Sequence, residues 1–109
     1  MSHPLPDDIS MPMDPESMKE HAVEASRLLK ALANESRLMV LCSLCDREMS
    51  VGELNAMVPL SQSALSQHLA VLRRDGLVPT RREAQTIYYS LVDGPAARVI
   101  DTLHGIYCG

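Results

Sequence analysis

The feature that most constrains the fold is a change of periodicity at Gly76. Before it, apolar residues recur at helical spacing, as in Leu65, Leu69 and Leu72. After it, residues 77–82 and 86–91 form two short segments with strong β propensity, separated by Glu83-Ala84-Gln85, which predicts a hairpin. A last helical pattern follows, with Val99, Ile100 and Leu103 on its apolar side.

Capping residues divide the helical part into segments. Ser50 and Glu53 have the spacing of a capping box, Pro15 suits a first helical position, and Gly76 suits the position just after a helix end. The expected N-caps are Asp14, Asn34, Ser50, Ser61 and, for the last helix, Asp93. The predicted order is four helices, two strands and one helix, which is a helix-turn-helix followed by a β-hairpin. The sequence therefore predicts a mainly α winged helix-turn-helix with five helices and a two-stranded wing.

Length and composition limit the chain to one small domain. Its 109 residues suffice for a single core, and the absence of Phe and Trp leaves Leu, Val, Ala, Ile and Met to fill it. We expect residues 1–14 to form a mobile acidic tail and residues 15–109 to form a single winged helix-turn-helix domain. The chain lacks an apolar run of about 20 residues and an apolar signal segment near its start, so we expect a cytoplasmic protein without a membrane partner.

The net charge of −4 argues against nucleic acid as a partner, because such domains usually carry a basic excess. The excess of acid, however, lies in residues 1–20, which hold five acids against one lysine. The remainder of the chain is neutral, and residues 61–90 carry a net charge of +2. The segment predicted to form the second helix of the helix-turn-helix and the wing is therefore basic.

The fourth predicted helix has the polar face of a recognition helix. Its apolar stripe is buried, so short polar side chains are left on the opposite face near its N-terminus, where such helices contact base edges in the major groove. Gln pairs bidentately with adenine, and the free N–H groups at a helix start suit a phosphate. The expected contacts are Ser61, Gln62, Ser63, Ser66, Gln67 and, at the margin, His68.

Two arginine pairs flank this helix and the hairpin. Arg73-Arg74 and Arg81-Arg82 suit contacts with the phosphate backbone, and Gln85 and Thr86 at the wing tip suit the adjacent minor groove. The plain alternative is a solvated polar face, since exposed faces rich in Ser and Gln are common. The order of helix-turn-helix and wing favours DNA binding over that alternative.

Five segments resemble the ArsR/SmtB family of repressors: LANESRL (32–38), SVGEL (50–54), LSQSALSQHLAVLR (60–73), GLV (76–78) and YYSL (88–91). The resemblance covers about residues 20–108. It implies a homodimer built through the first and last helices that binds an inverted repeat in a double-stranded DNA operator. Such a protein is not an enzyme.

The metal sites usual in that family have no counterpart here. Asn55-Ala56-Met57 stands where a Cys-x-Cys would fall, and Asp101 and His104 lack the spacing and the later ligands of the other site. We therefore expect no metal and no cofactor. A metal sensor that uses cysteine ligands remains an alternative, including zinc held by Cys42, Cys45, Cys108 and His104.

The cysteines instead resemble those of a persulfide- and redox-sensing subgroup of the family. Three cysteines without a secretory signal do not indicate a disulfide framework, so the thiols are expected to be reduced at rest. By resemblance, Cys42 and Cys108 are the sensing pair, and an oxidant or reactive sulfur that bridges them releases the DNA. Cys45 is expected to be a core residue.

Three other interpretations stay open. Cys42-Ser43-Leu44-Cys45 is a Cys-x-x-Cys motif, but it does not stand at a helix start after a strand, as in thiol oxidoreductases. The subgroup also includes antirepressors that displace another silencing protein. A winged helix that binds protein rather than DNA is the third.

Overall fold

The structure is a computed structural model that describes residues 14–108. The helices are α1 (Pro15–Leu32), α2 (Glu35–Ser43), α3 (Val51–Met57), α4 (Gln62–Arg74) and α5 (Pro95–Tyr107), and the strands are β1 (Met49–Ser50), β2 (Thr80–Glu83) and β3 (Thr86–Tyr89). This order confirms the winged helix-turn-helix prediction. The predicted tail lies outside the described residues apart from Asp14, and no helix within residues 14–108 is long and apolar enough to cross a membrane.

The wing belongs to a three-stranded antiparallel sheet with the order β1-β3-β2. Met49 pairs with Tyr89 on one side of β3, and Thr80 pairs with the same residue on the other. The sequence prediction of two strands missed β1, because a strand of two residues has no periodicity of its own. β1 ties the wing to the chain segment that follows α2.

β2 begins at Thr80, three residues later than predicted, because Leu77 and Val78 belong to the core. The Leu77 N–H donates to the Leu72 carbonyl at 2.9 Å, and the Gly76 N–H donates to the Arg73 carbonyl at 3.0 Å. This pair of bonds is the Schellman motif, and it needs the left-handed backbone that Gly76 adopts at φ 75°. The predicted role of Gly76 at the end of α4 is confirmed.

Four of the five predicted N-caps are confirmed. The side chains of Asp14, Asn34, Ser50 and Ser61 each accept a bond from a backbone N–H in the first turn of their helix. The prediction for Asp93 is wrong. Pro95 occupies the first helical position of α5, so the cap falls on Gly94, which has no side chain to accept a bond.

Within the described part of the chain, fifteen buried apolar side chains form one core, and the largest fully buried ones include Leu41, Leu54, Leu65, Leu69 and Ile100. Helix α2 lies in the middle of the domain and packs against α1, α3, α4 and α5. Helix α1 buries only Ala31 and Leu32 of its 18 residues. Most of α1 therefore projects from the core of a single chain.

Candidate functional site

Helix α4 presents the predicted polar face to solvent. The Ser61 side chain accepts a hydrogen bond from the Ala64 N–H at 3.2 Å and so fixes the start of the helix. Leu65, Leu69 and Leu72 are at most 2% exposed, and this burial determines how the helix is rotated. The side chains left exposed are Ser61, Gln62, Ser63, Ser66 and Gln67, whereas His68 is half-buried at the margin.

The turn between α3 and α4 is held by Asn55, a role that the sequence analysis did not predict. The Asn55 amide nitrogen donates to the Leu60 carbonyl at 2.7 Å, and Leu54 and Val58 are buried beneath the turn. The capping box at Ser50 and Glu53 is present, with bonds of 3.2 and 2.9 Å. An amide a few residues before a tight turn was the available signal, because such side chains commonly bond to turn backbone.

The arginines of α4 and the wing differ in whether a carboxylate of the chain lies beside them. Arg73 and Arg82 are exposed, with no ion pair to another described residue, while Arg74 lies 3.5 Å from Asp75. Gln85 and Thr86 are exposed at the tip of the wing, as predicted. Four of these side chains (Arg73, Arg82, Gln85 and Thr86) are thus available for a partner.

Arg81 is held by carboxylates. Its Nη2 and Nε atoms bond to Glu48 at 2.8 to 3.1 Å, its Nη1 bonds to Glu83 at 2.8 Å, and its guanidinium lies 4.9 Å from the centre of the Tyr88 ring. Hydrogen bonds to Glu48 and then to Glu83 raise the pKa of Arg81, and the same bond to Arg81 lowers the pKa of Glu48. Glu48 was not singled out from the sequence, since it is 33 residues away from its partner.

Cys42 and Cys108 are both exposed free thiols on neighbouring helices. Cys42 lies in the last turn of α2, Cys108 is the C-cap of α5, and these two helices pack together. Partial burial raises the pKa of the Cys42 thiol, and the negative form of Cys108 raises it further. The structure therefore brings the predicted pair within electrostatic range of each other.

Cys45 lies just beyond the end of α2 and packs, partly buried, against the core, consistent with the role predicted for it. Burial raises the pKa of its thiol, with smaller contributions from Cys42, Asp46 and Asp101. The Cys-x-x-Cys motif thus spans a helix end rather than a helix start. Among residues 14–108, no group of three or more His, Cys, Asp or Glu side chains is arranged to hold a metal ion, so Cys42, Cys45, Cys108 and His104 are not assembled as a metal site within one chain.

Residues 34–80, from the cap of α2 to the start of β2, match the family model of bacterial regulatory proteins of the arsR family. The match includes the whole helix-turn-helix and ends where the wing begins.

Proteins of this type are similar to the chain over nearly its whole length. A Vibrio cholerae protein named transcriptional activator HlyU is 56% identical over 97 residues, which are 89% of this chain and 90% of that protein. A biofilm growth-associated repressor of Agrobacterium fabrum is 49% identical over 92 residues, 84% of this chain and 79% of the repressor. The structure of reduced HlyU from Vibrio cholerae superposes with a TM-score of 0.83 at 55% identity, covering 86% of this chain and 99% of the other.

Proposed function

This chain belongs to the arsR family of bacterial regulatory proteins and is a transcriptional regulator, and from this premise we propose that it binds an operator as a homodimer. It releases the operator when Cys42 and Cys108 are bridged. The proposal is supported by two exposed free thiols, Cys42 and Cys108, on the packed helices α2 and α5 of a winged helix whose α4 presents an exposed polar face.

The recognition helix in this proposal is α4. Gln62, Ser63, Ser66 and Gln67 contact base edges in the major groove, with Gln67 suited to adenine. Ser61 and the free N–H groups at the helix start bind a phosphate. Arg73, Arg74 and Arg82 neutralise further phosphates, and the wing tip enters the adjacent minor groove.

A second copy of the chain covers the exposed apolar residues of the first and last helices. Met18, Val23 and Leu29 on α1 are 52–57% exposed, and Ile106 and Tyr107 on α5 are 65% and 81% exposed. Large apolar side chains left this exposed on a soluble domain are expected to be covered by a partner. A two-fold dimer built on them places two copies of α4 to bind the two halves of an inverted repeat.

The switch is a change of covalent state. A bridge between the two Sγ atoms is a two-electron oxidation that releases both thiol protons, and a peroxide or an inorganic polysulfide accepts the electrons. Sulfane sulfur retained between the Sγ atoms makes the bridge longer than a disulfide. The bridge ties α2 to the end of α5, so it biases the dimer toward a state in which the two α4 helices no longer match successive major grooves.

The test begins with a duplex selected from a random DNA pool by the reduced protein. Affinity for this duplex is then titrated with and without inorganic polysulfide, for the wild type and for the Cys42→Ser, Cys108→Ser and Cys45→Ser variants. We expect polysulfide to weaken binding by the wild type and the Cys45→Ser control only. An unchanged wild-type affinity, or a full response in either of the other two variants, would contradict the sensing proposal.

Mass spectrometry of the treated protein identifies the bridge. A plain disulfide lowers the mass by two hydrogens, whereas a polysulfide bridge adds the mass of whole sulfur atoms. Stoichiometric zinc or copper retained by the purified protein would instead favour a metal sensor on the same fold.

A second candidate function is that of an antirepressor, and it is favoured by the name of the Vibrio cholerae relative, a transcriptional activator. The repressor is favoured in turn by the name of the Agrobacterium fabrum relative. Transcription in vitro separates them. A repressor lowers transcription from naked promoter DNA, while an antirepressor raises it only when a silencing protein is also bound.

A further inference from the structure

The Arg81 guanidinium connects the wing to the body of the domain. Arg81 lies on β2, whereas Glu48 lies in the connection between α2 and β1. Two guanidinium nitrogens of Arg81 contact both carboxylate oxygens of Glu48 at 2.8 to 3.1 Å. Because two guanidinium nitrogens face two carboxylate oxygens, this geometry fixes the orientation of the Arg81 guanidinium relative to Glu48 as well as the distance between them. A lysine making a single contact would fix only the distance.

The other contacts of Arg81 hold the guanidinium in the same place. Glu83, two residues along β2, binds Nη1 at 2.8 Å, and the Tyr88 ring on the neighbouring strand β3 lies beneath the guanidinium carbon at 4.9 Å. Arg81 and Tyr88 are also register partners in the sheet. Each guanidinium nitrogen therefore donates to a carboxylate of the chain itself.

These partners make Arg81 unsuitable for a phosphate. One cation between two carboxylates forms a cluster with a net charge of −1, and all three side chains are substantially exposed. A phosphate that approached Arg81 would also approach Glu48 and Glu83, and like charges repel. The adjacent Arg82, by contrast, is exposed and has no ion pair with another described residue.

We propose that Arg81 is a positioning residue: through Glu48 it fixes the wing relative to the body of the domain, so that Arg82 and the wing tip are presented to DNA in a defined place. This inference rests on the proposed DNA-binding function, and it reassigns Arg81 from the phosphate contact that the sequence predicted. Arg82 then supplies the contact, and Glu48 acts on DNA affinity only through the position of the wing.

The experiment compares two variants that each remove one carboxylate charge from the same arginine. Glu48→Gln breaks the connection to the body of the domain, while the matched control Glu83→Gln breaks a contact within the wing. Both are measured as the reduced full-length chain on the selected duplex, alone and in combination with Arg82→Gln. Arg81→Lys is a second variant, which keeps the charge but removes the fork, and thermal unfolding shows that each variant is folded.

We expect Glu48→Gln and Arg81→Lys to weaken operator binding by about three- to fivefold, the scale of a well-formed surface ion pair. Glu83→Gln should change it by less than about twofold. In the Arg82→Gln background the effect of Glu48→Gln should shrink, because the two residues act through the same contact.

Several results would overturn the inference. Stronger binding by both glutamine variants would mean that the freed guanidinium binds phosphate itself. Equal losses in Glu48→Gln and Glu83→Gln, no change in Glu48→Gln, or a loss that persists in full in the Arg82→Gln background would each remove the positioning role. Failure of the wild type to prefer the selected duplex over random DNA would instead contradict the proposed function, and it is measured first.

Discussion

The surroundings of Cys42 affect the reactivity of its thiol. The thiolate is the reactive form of cysteine, so a raised pKa lowers reactivity at neutral pH. Partial burial raises the pKa of Cys42, and the negative form of Cys108 adds to it. The raised pKa therefore lowers the thiolate fraction of Cys42 relative to a free cysteine at the same pH.

The pH dependence of Cys42 alkylation follows from this pKa. We expect its reaction with iodoacetamide to be slow near neutral pH and to rise only as the pH passes the usual range of a cysteine thiol. Cys108→Ser removes one cause of the shift, so the rise should move to lower pH. Mass spectrometry of the peptide containing Cys42 measures the rate, and an unchanged profile in Cys108→Ser would contradict the proximity of the two thiols.

Substitution of Gln67 distinguishes recognition of bases by α4 from affinity for the DNA backbone. Gln67→Ala should weaken binding to the selected duplex by about 1–3 kcal/mol and leave binding to random DNA unchanged, since the variant cannot bond bidentately to a base. Arg73→Gln is the control, because removing a bond to phosphate should weaken binding to both duplexes equally. Equal losses on both duplexes in Gln67→Ala would remove that residue from base recognition.

The secondary-structure elements keep their positions through contacts at their ends. Asn55 holds the turn before α4, and the Schellman motif at Gly76 turns the chain from α4 toward the wing. The Arg37 guanidinium caps the end of α1, donating to the Ala31 carbonyl at 2.6 Å and to the Lys30 carbonyl at 3.2 Å. Each contact satisfies a backbone carbonyl that a helix or turn would otherwise leave without a partner.

Gly76→Ala isolates the backbone requirement at the end of α4. A Cβ at this position would meet no atom within 4 Å, so the cost comes only from the positive φ of 75°. We expect a loss of about 1–2 kcal/mol in the free energy of unfolding, measured by urea titration. Gly52→Ala is the matched control, because Gly52 lies within α3 and Ala favours a helix. A loss in Gly52→Ala as large as that in Gly76→Ala would contradict the assignment.

Within residues 14–108, the first and last helices leave apolar surface uncovered in a single copy of the chain. Helix α1 leaves most of its length outside the core, and α5 ends in two large exposed apolar side chains, Ile106 and Tyr107. In the proposed dimer these surfaces meet, and the spacing of the two α4 helices follows from that interface. DNA affinity and oligomeric state should therefore change together.

Ile106→Glu tests the proposed interface. A charge at this position, repeated by symmetry in both copies, should raise the dimer dissociation constant by at least about tenfold, because an unpaired charge would be buried. Ile87→Glu introduces the same change on the wing, at another exposed isoleucine, and should leave the dimer intact. Sedimentation equilibrium measures both, and equal effects would place the interface elsewhere.

The sequence by itself determined the helices, four of their five caps, the end of α4 at Gly76 and the order of the winged helix, because periodicity and capping act between residues a few positions apart. It also located the exposed polar face of α4, because the apolar stripe of this helix is buried and the opposite side must therefore face solvent. Only the tertiary structure showed the short strand β1, the hydrogen bond from Asn55 to the turn, and the proximity of Cys42 to Cys108. It alone showed that Arg81 is bound by Glu48, because residues 33 positions apart leave no shared pattern in the sequence and meet only when the sheet has formed.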